Sequence, residues 1–289
     1  MKLTNGLKIL LELNKVRITV LVTLTTLAGY VLAKNTIDVD VILPLLGIFI
    51  LACGGAALNH FQDRDKDALM ERTKNRPIPS GKISSNWVLF IAVVEIVLGT
   101  TLIYLGSNFL AAQLGLLALL WYNGFYTPLK RKTAFAVIPG SVIGAIPPMV
   151  GWVSGGGSLA DPHALILAFF FFIWQVPHFW LLMLKYGREY ETAGYPSITA
   201  KIGERQIKVA TFMWTAATAI SALMIAVSGL VTLMFFKICI LIAAIWLIAV
   251  FSKLLWDKTE DFKPFHYFMR INYFVLVMII VLSVEPLLR

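Results

Sequence analysis

Apolar residues fall along this chain in long unbroken runs, near 16–33, 41–60, 87–106, 108–126, 135–154, 162–184, 208–229, 232–252 and 267–286. Each run is about 20 residues long, which as helix crosses a hydrocarbon core of about 30 Å. The in–out alternation of a membrane barrel is missing, so helix is the element these runs predict. Gly106 with Ser107, and Gly229, break neighbouring runs and predict tight turns. Residues 1–15 read as a short polar start with Lys2, Lys8 and Lys15. The first run has no convincing small-residue cleavage site, so it predicts a span and not a signal peptide. The expected architecture is an all-α integral membrane protein. Residues 1–289 would form a single domain, a bundle of nine transmembrane helices around a central cavity.

Composition changes that picture little. The apolar fraction is 58% and the charged fraction 14%, which leaves little room for a soluble domain. The net charge of +9 would suggest nucleic acid in a soluble chain. Here 22 of the 25 Lys and Arg gather at the N-terminus and near 61–86, 127–134, 185–207 and 253–266, leaving only Lys34, Lys237 and Arg289. That split predicts a cell (inner) membrane protein whose N-terminus and long loops are cytoplasmic. Its partner is then the lipid bilayer, with no nucleic acid. Cys53 and Cys239 lie in apolar runs without metal-ligand spacing and read as packing residues.

The most highly charged stretch is 59–81, NHFQDRDKDALMERTKNRPIPSG. Asn59, Asp63 and Asp67 recur every four residues and so share one helical face, with Asp65 on the other side. Three oxygen-bearing groups on one face suit a hard cation such as Mg2+. Arg72, Lys74 and Arg76 follow, and Pro77 and Pro79 are expected to end the helix. Carboxylates beside guanidiniums suit a metal-bound diphosphate, but equally a solvated positive-inside loop. Lys130, Arg131 and Lys132 after the fourth run could clamp phosphate or simply set topology. The fifth run, with Pro139, Gly140, Gly144, Pro147, Pro148 and Gly151, predicts either a broken helix lining a cavity or close helix packing. Gly155, Gly156 and Gly157 after it read as a linker. His178, inside FFFFIWQVPHFW at 169–180, is either a hydrogen-bonded residue or a ligand. His60 beside the acidic face carries the same two readings. His266 and Arg270 read as interfacial. Glu95 is the one acid deep in a run, bonded to a neighbouring helix or functional.

The NxxxDxxxD pattern followed by a basic run resembles the UbiA-type membrane prenyltransferases. Asn59, Asp63, Asp65, Asp67, Met70, Arg72, Thr73, Arg76, Pro77 and Gly81 resemble the signature of the protohaem IX farnesyltransferase (haem O synthase) branch. YTPLK at 126–130, GAIPPMVGW at 144–152, WQVPHFW at 174–180 and EYETAG at 189–194 are similar to the same branch. A second acidic motif, usual in the superfamily, is reduced here to Glu189, Tyr190 and Glu191. YPSIT after Gly194 also departs from the branch. The resemblance implies an Mg-dependent enzyme that transfers a farnesyl group from farnesyl diphosphate to the vinyl group of haem B, giving haem O and diphosphate. It implies Asn59, Asp63 and Asp67 as catalytic and metal-holding residues. It implies Arg72, Arg76, Tyr126, Lys130, Arg131, His178, Arg188, Glu189 and Tyr190 as substrate-binding residues. A sister enzyme with a quinone-precursor or other tetrapyrrole acceptor, or a transporter, remains an alternative at this stage.

Overall fold

The computed structural model describes residues 3–256 and 263–289. Lys2 and the middle of the expected 253–266 connection lie outside the described residues. Nine helices among the described residues are long and apolar enough to cross a membrane, and the chain is a multi-pass membrane protein. The polar start is itself a helix, α1 (Leu3–Leu13). It meets α2 (Val16–Lys34) at Lys15, whose φ of 45° lies in the left-handed region. A non-glycine residue rarely sits there, so the α1–α2 corner holds Lys15 in a strained conformation.

The second span is α3 (Ile42–Asp67), entered through a 3-10 turn at Val39–Val41. It packs most extensively on α4 (Ser85–Gly106). α5 (Phe109–Leu119) follows, opened by the Asn108 side chain accepting from the Ala111 amide. It continues as a π-helical segment, Leu120–Tyr126, into the short α6 (Thr127–Leu129). The fifth span is broken as the prolines and glycines suggested. A 3-10 turn at Ala134–Ala136 leads into α7 (Val137–Gly140), and α8 (Val142–Ser154) follows. Close packing is also realised in it. A Cβ added at Gly151 would come within 1.8 Å of the Thr26 carbonyl oxygen, and one at Gly29 within 2.0 Å of that of Pro148. Only glycine lets α2 and α8 approach so nearly.

The remaining helices are α9 (Pro162–Thr192), α10 (Glu204–Val227), α11 (Met234–Trp256) and α12 (Pro264–Val284). α10 packs on α9 and α11, and α12 returns to α9 and α2. The largest apolar cluster joins Phe170, Phe171, Leu247, Phe251, Phe274 and Met278 across α9, α11 and α12.

Two helices outrun their apolar stretches. α3 continues to Asp67 and α9 to Thr192. Both extensions carry acidic motifs, and they meet: Lys66 Nζ donates to the Ala193 carbonyl at 2.6 Å. Pro77 and Pro79 do not end α3, contrary to the sequence expectation. The helix stops ten residues before Pro77, where the Thr73 hydroxyl turns back to donate to the Asp67 carbonyl at 2.8 Å.

Candidate active site

The extension of α3 puts Asn59, Asp63 and Asp67 on one face, and the fold buries it. Their exposures are 4%, 3% and 2%. Asp65 points away, exposed, near Arg64 at 3.8 Å. Four other segments aim donors at the buried face. The turn after α3 brings Arg76 Nη1 to Asp67 Oδ2 at 2.7 Å. The segment after α6 brings Lys130 Nζ to Asp63 Oδ2, and Arg131 Nη2 to Asp63 Oδ1 at 3.2 Å. The loop after α9 brings the Tyr195 hydroxyl to Asp63 Oδ1 at 3.1 Å. The α1–α2 corner brings Lys15 Nζ to Asn59 Oδ1 at 2.8 Å. Asn59 Nδ2 donates to Asp63 Oδ2 at 2.8 Å, tying the face together.

The π-helical segment braces this arrangement. The extra residue per turn moves Asn123 against α3. Its Nδ2 donates to the Gly55 carbonyl and to Gln62 Oε1, each at 3.0 Å, and Gln62 Nε2 donates back to the Asn123 carbonyl at 2.9 Å. Tyr122 and Tyr126 then stack with ring centres 6.3 Å apart.

Cations crowd the site. Burial, aided by the charges of Arg76 and Lys130, pushes the Lys15 ammonium down to about 7. Burial also lowers Lys130, against the pull of Asp63. The Tyr195 phenol is raised by burial and by the Asp63 carboxylate beside it. Lys15 and Tyr195 escaped the sequence reading. Lys15 lies 44 residues from Asn59 and Tyr195 lies 132 from Asp63. A positive side chain before the first span reads as topology, and no periodicity links either residue to α3.

The expected substrate-binding residues divide into three groups. Arg76, Lys130 and Arg131 reach the carboxylates directly. Tyr126 stands beside them, with Lys130 Nζ 5.9 Å from its ring centre. Arg72, Arg188, Glu189 and Tyr190 lie at the edge. The Arg72 guanidinium covers the Tyr186 ring, its backbone amide donates to Glu189 Oε2 at 3.2 Å, and Arg188 is exposed. Tyr190 packs on Tyr195 with ring centres 5.5 Å apart. Arg72 and Arg188 are both exposed, and among the described residues no hydrogen bond or ion pair joins either side chain to Asn59, Asp63 or Asp67.

His178 forms a separate group. Its Nδ1 lies 2.8 Å from Asn272 Oδ1. Its ring meets Trp174 at 5.1 Å, Phe179 at 5.4 Å and Phe268 at 4.6 Å. Phe179 meets Tyr126 at 6.0 Å, so a chain of rings runs from His178 to the polar face. α9 runs to Thr192 and not to 184, so His178 lies about 14 residues, roughly 21 Å of helix, before its end. Among the described residues His60 makes no hydrogen bond to the acidic side chains. Glu95 accepts from Asn14 Nδ2 at 2.7 Å and ties α4 to the α1–α2 corner.

The donor set fits a hard divalent cation. Among the described residues no three His, Cys, Asp or Glu side chains form a closed cage. Two carboxylates and an amide oxygen leave positions for water and phosphate oxygens, the arrangement in which Mg2+ commonly binds. The oxygens are held by side chains, among them the tips of Lys15, Arg76, Lys130 and Arg131, which can turn to an incoming anion.

The model of the UbiA prenyltransferase family matches residues 22–274. The chain belongs to that family. The UbiA relatives include the protoheme IX farnesyltransferase of Geobacter sulfurreducens, 38% identical over 76% of this chain and 81% of the relative. That of Hahella chejuensis is 34% identical over 94% of this chain and 91% of its own. Solved UbiA-like structures share the fold. Digeranylgeranylglyceryl phosphate synthase superposes with a TM-score of 0.79 at 18% identity, covering 98% of this chain and 99% of its own. A UbiA homolog from Archaeoglobus fulgidus bound to DMAPP and Mg2+ gives 0.68 at 13% identity, covering 95% and 99%.

Proposed function

We propose that this UbiA protein transfers a farnesyl group from farnesyl diphosphate to a vinyl group of haem B, forming haem O and diphosphate. The observation that carries the reading is the buried Asn59–Asp63–Asp67 face ringed by Lys15, Arg76, Lys130 and Arg131. The acceptor follows from relatives named protoheme IX farnesyltransferase, 34–38% identical over most of the chain.

Mg2+ held by Asp63, Asp67 and Asn59 supplies Lewis acidity that offsets charge developing on the leaving diphosphate. Lys15, Arg76, Lys130 and Arg131 turn from the carboxylates to the remaining phosphate oxygens, in charge-assisted hydrogen bonds. Breaking the C–O bond leaves an allylic cation. Tyr126, Tyr122 and Phe179 face its path, and ring faces attract a cation while excluding water. A C–C bond forms at the terminal vinyl carbon, and the adjacent carbon takes up water and releases a proton. His178 stands at the far end of the ring path. That is too far inside for a diphosphate, whose burial without cations is expensive. A flat apolar macrocycle with an iron suits it.

The positive loops support a reading in which this end of the bundle faces the cytoplasm and the C-terminus lies on the other side of the inner membrane. A reporter fused after Arg289 should behave as external. The catalytic reading is tested by incubating purified protein with haem B, farnesyl diphosphate and Mg2+. Mass analysis should show haem O. Unchanged haem B, with a prenylated quinone precursor formed under the same conditions, would replace haem as acceptor.

A further inference from the structure

The pair joining α9 to α12 settles the state of His178. Asn272 Nδ2 donates to the Phe268 carbonyl at 2.7 Å. A carbonyl oxygen only accepts, so the nitrogen of the amide must lie on that side, and Asn272 Oδ1 faces His178. Oδ1 is itself only an acceptor. The 2.8 Å contact therefore requires the proton on His178 Nδ1. In the neutral Nδ1–H tautomer Nε2 keeps its lone pair, and among the described residues the hydrogen bond of the ring is the one made by Nδ1. Trp174, Phe179 and Phe268 press on the ring and fix its plane. Phe268 thus acts twice: its carbonyl orients Asn272, and its ring lies against His178.

Histidines that ligate metals usually donate their second nitrogen to an oxygen in this way, which sets the tautomer and strengthens the ligand. We propose that Asn272 is a positioning residue that presents His178 Nε2 to the iron of the haem acceptor. The proposal rests on the reading of haem as acceptor. Iron held there would anchor the macrocycle at the inner end of the ring path, on the far side of Phe179 and Tyr126 from the diphosphate.

The test is optical and redox titration of the full-length protein in nanodiscs with haem B. Wild type should bind haem with a histidine-ligated spectrum that His178→Ala loses. Asn272→Leu should weaken haem binding about 10- to 100-fold and shift the Soret band, while farnesyl diphosphate affinity stays within about twofold. Retained diphosphate affinity shows that the variant is folded. Asn272→Asp keeps an acceptor on Nδ1. It should restore haem affinity and lower the iron potential, because a carboxylate makes the imidazole a stronger donor. If Asn272→Leu binds no diphosphate, the Asn272→Asp result decides: an unchanged potential overturns the proposal. If His178→Ala alters the spectrum and both Asn272 variants match wild type, the positioning role is wrong and the haem reading stands. If His178→Ala leaves the spectrum unchanged, the ligand assignment and the positioning role fall together. A wild-type protein that binds no haem overturns the acceptor reading and this inference with it.

Discussion

Asp63 and Glu285 are both buried carboxylates with an arginine beside them, at opposite ends of α2. Glu285 Oε1 accepts from the Thr232 amide at 2.7 Å, the Thr232 hydroxyl at 2.9 Å and the Leu233 amide at 3.0 Å. Its Oε2 accepts from Arg289 Nε at 3.0 Å and Nη2 at 2.8 Å. Two of those donors are backbone, and they cannot leave without unfolding the turn between α10 and α11. Among the described residues Asp63 accepts only from side chains: Asn59, Lys130, Arg131 and Tyr195. Lys and Arg tips can swing away while the backbone stays. Burial and charge therefore do not separate an acid locked into a frame from one whose donors can be exchanged. The kind of donor does, since fixed donors build a frame and free donors can be exchanged for a ligand.

The comparison predicts the largest effect at α3. Asp63→Ala and Asp67→Ala should each reduce turnover by about 10³-fold or more at equal membrane expression. Asp65→Ala, exposed on the opposite face, should stay within about twofold. Haem O formation in isolated membranes measures all three, and wild-type rates in either of the first two would break the comparison.

Lys15→Ala comes next. A charge-assisted hydrogen bond to phosphate contributes about 1.5–3 kcal/mol, so the dissociation constant for farnesyl diphosphate should rise about 10- to 100-fold. Haem affinity should not change. Isothermal titration of both substrates separates the two effects, and a loss confined to haem would move Lys15 out of the diphosphate site.

Glu285→Gln should do the reverse of Asp63→Ala. Weakening a charged acceptor of five hydrogen bonds should cost about 2 kcal/mol of stability. The thermal midpoint should fall while kcat per folded molecule is retained. A specific loss of kcat without a thermal shift would mean that the two carboxylates do not differ as argued.

The spans were legible because each is a long apolar run, and the Asn59–Asp63–Asp67 face because one helix carries all three residues four apart. Local chemistry on a single element leaves a period in the sequence. What surrounds that face was less legible. Lys15 depends on a left-handed corner, Asn123 on a π-helical segment, and Tyr195 on a loop that follows a different helix. Asn272 lies 94 residues from His178. Such meetings are products of packing between helices, and no spacing announces them. The prolines at 77 and 79 misled for a related reason: a hydroxyl at Thr73, reaching back to Asp67, ends α3 before they can. Glu285 leaves no signal of its own in the sequence, because its partners Thr232 and Leu233 lie in the turn between two other helices.

The central claim is that a metal and a diphosphate together replace the side-chain donors on Asp63. Retention of Mn2+, used in place of Mg2+, can be followed by electron paramagnetic resonance on purified protein with and without farnesyl diphosphate. Wild type and Glu285→Gln should retain Mn2+ strongly only when the diphosphate is present, and the Asp63→Asn, Asp67→Asn double variant should retain none. Mn2+ and farnesyl diphosphate held by the double variant as tightly as by wild type would contradict the account.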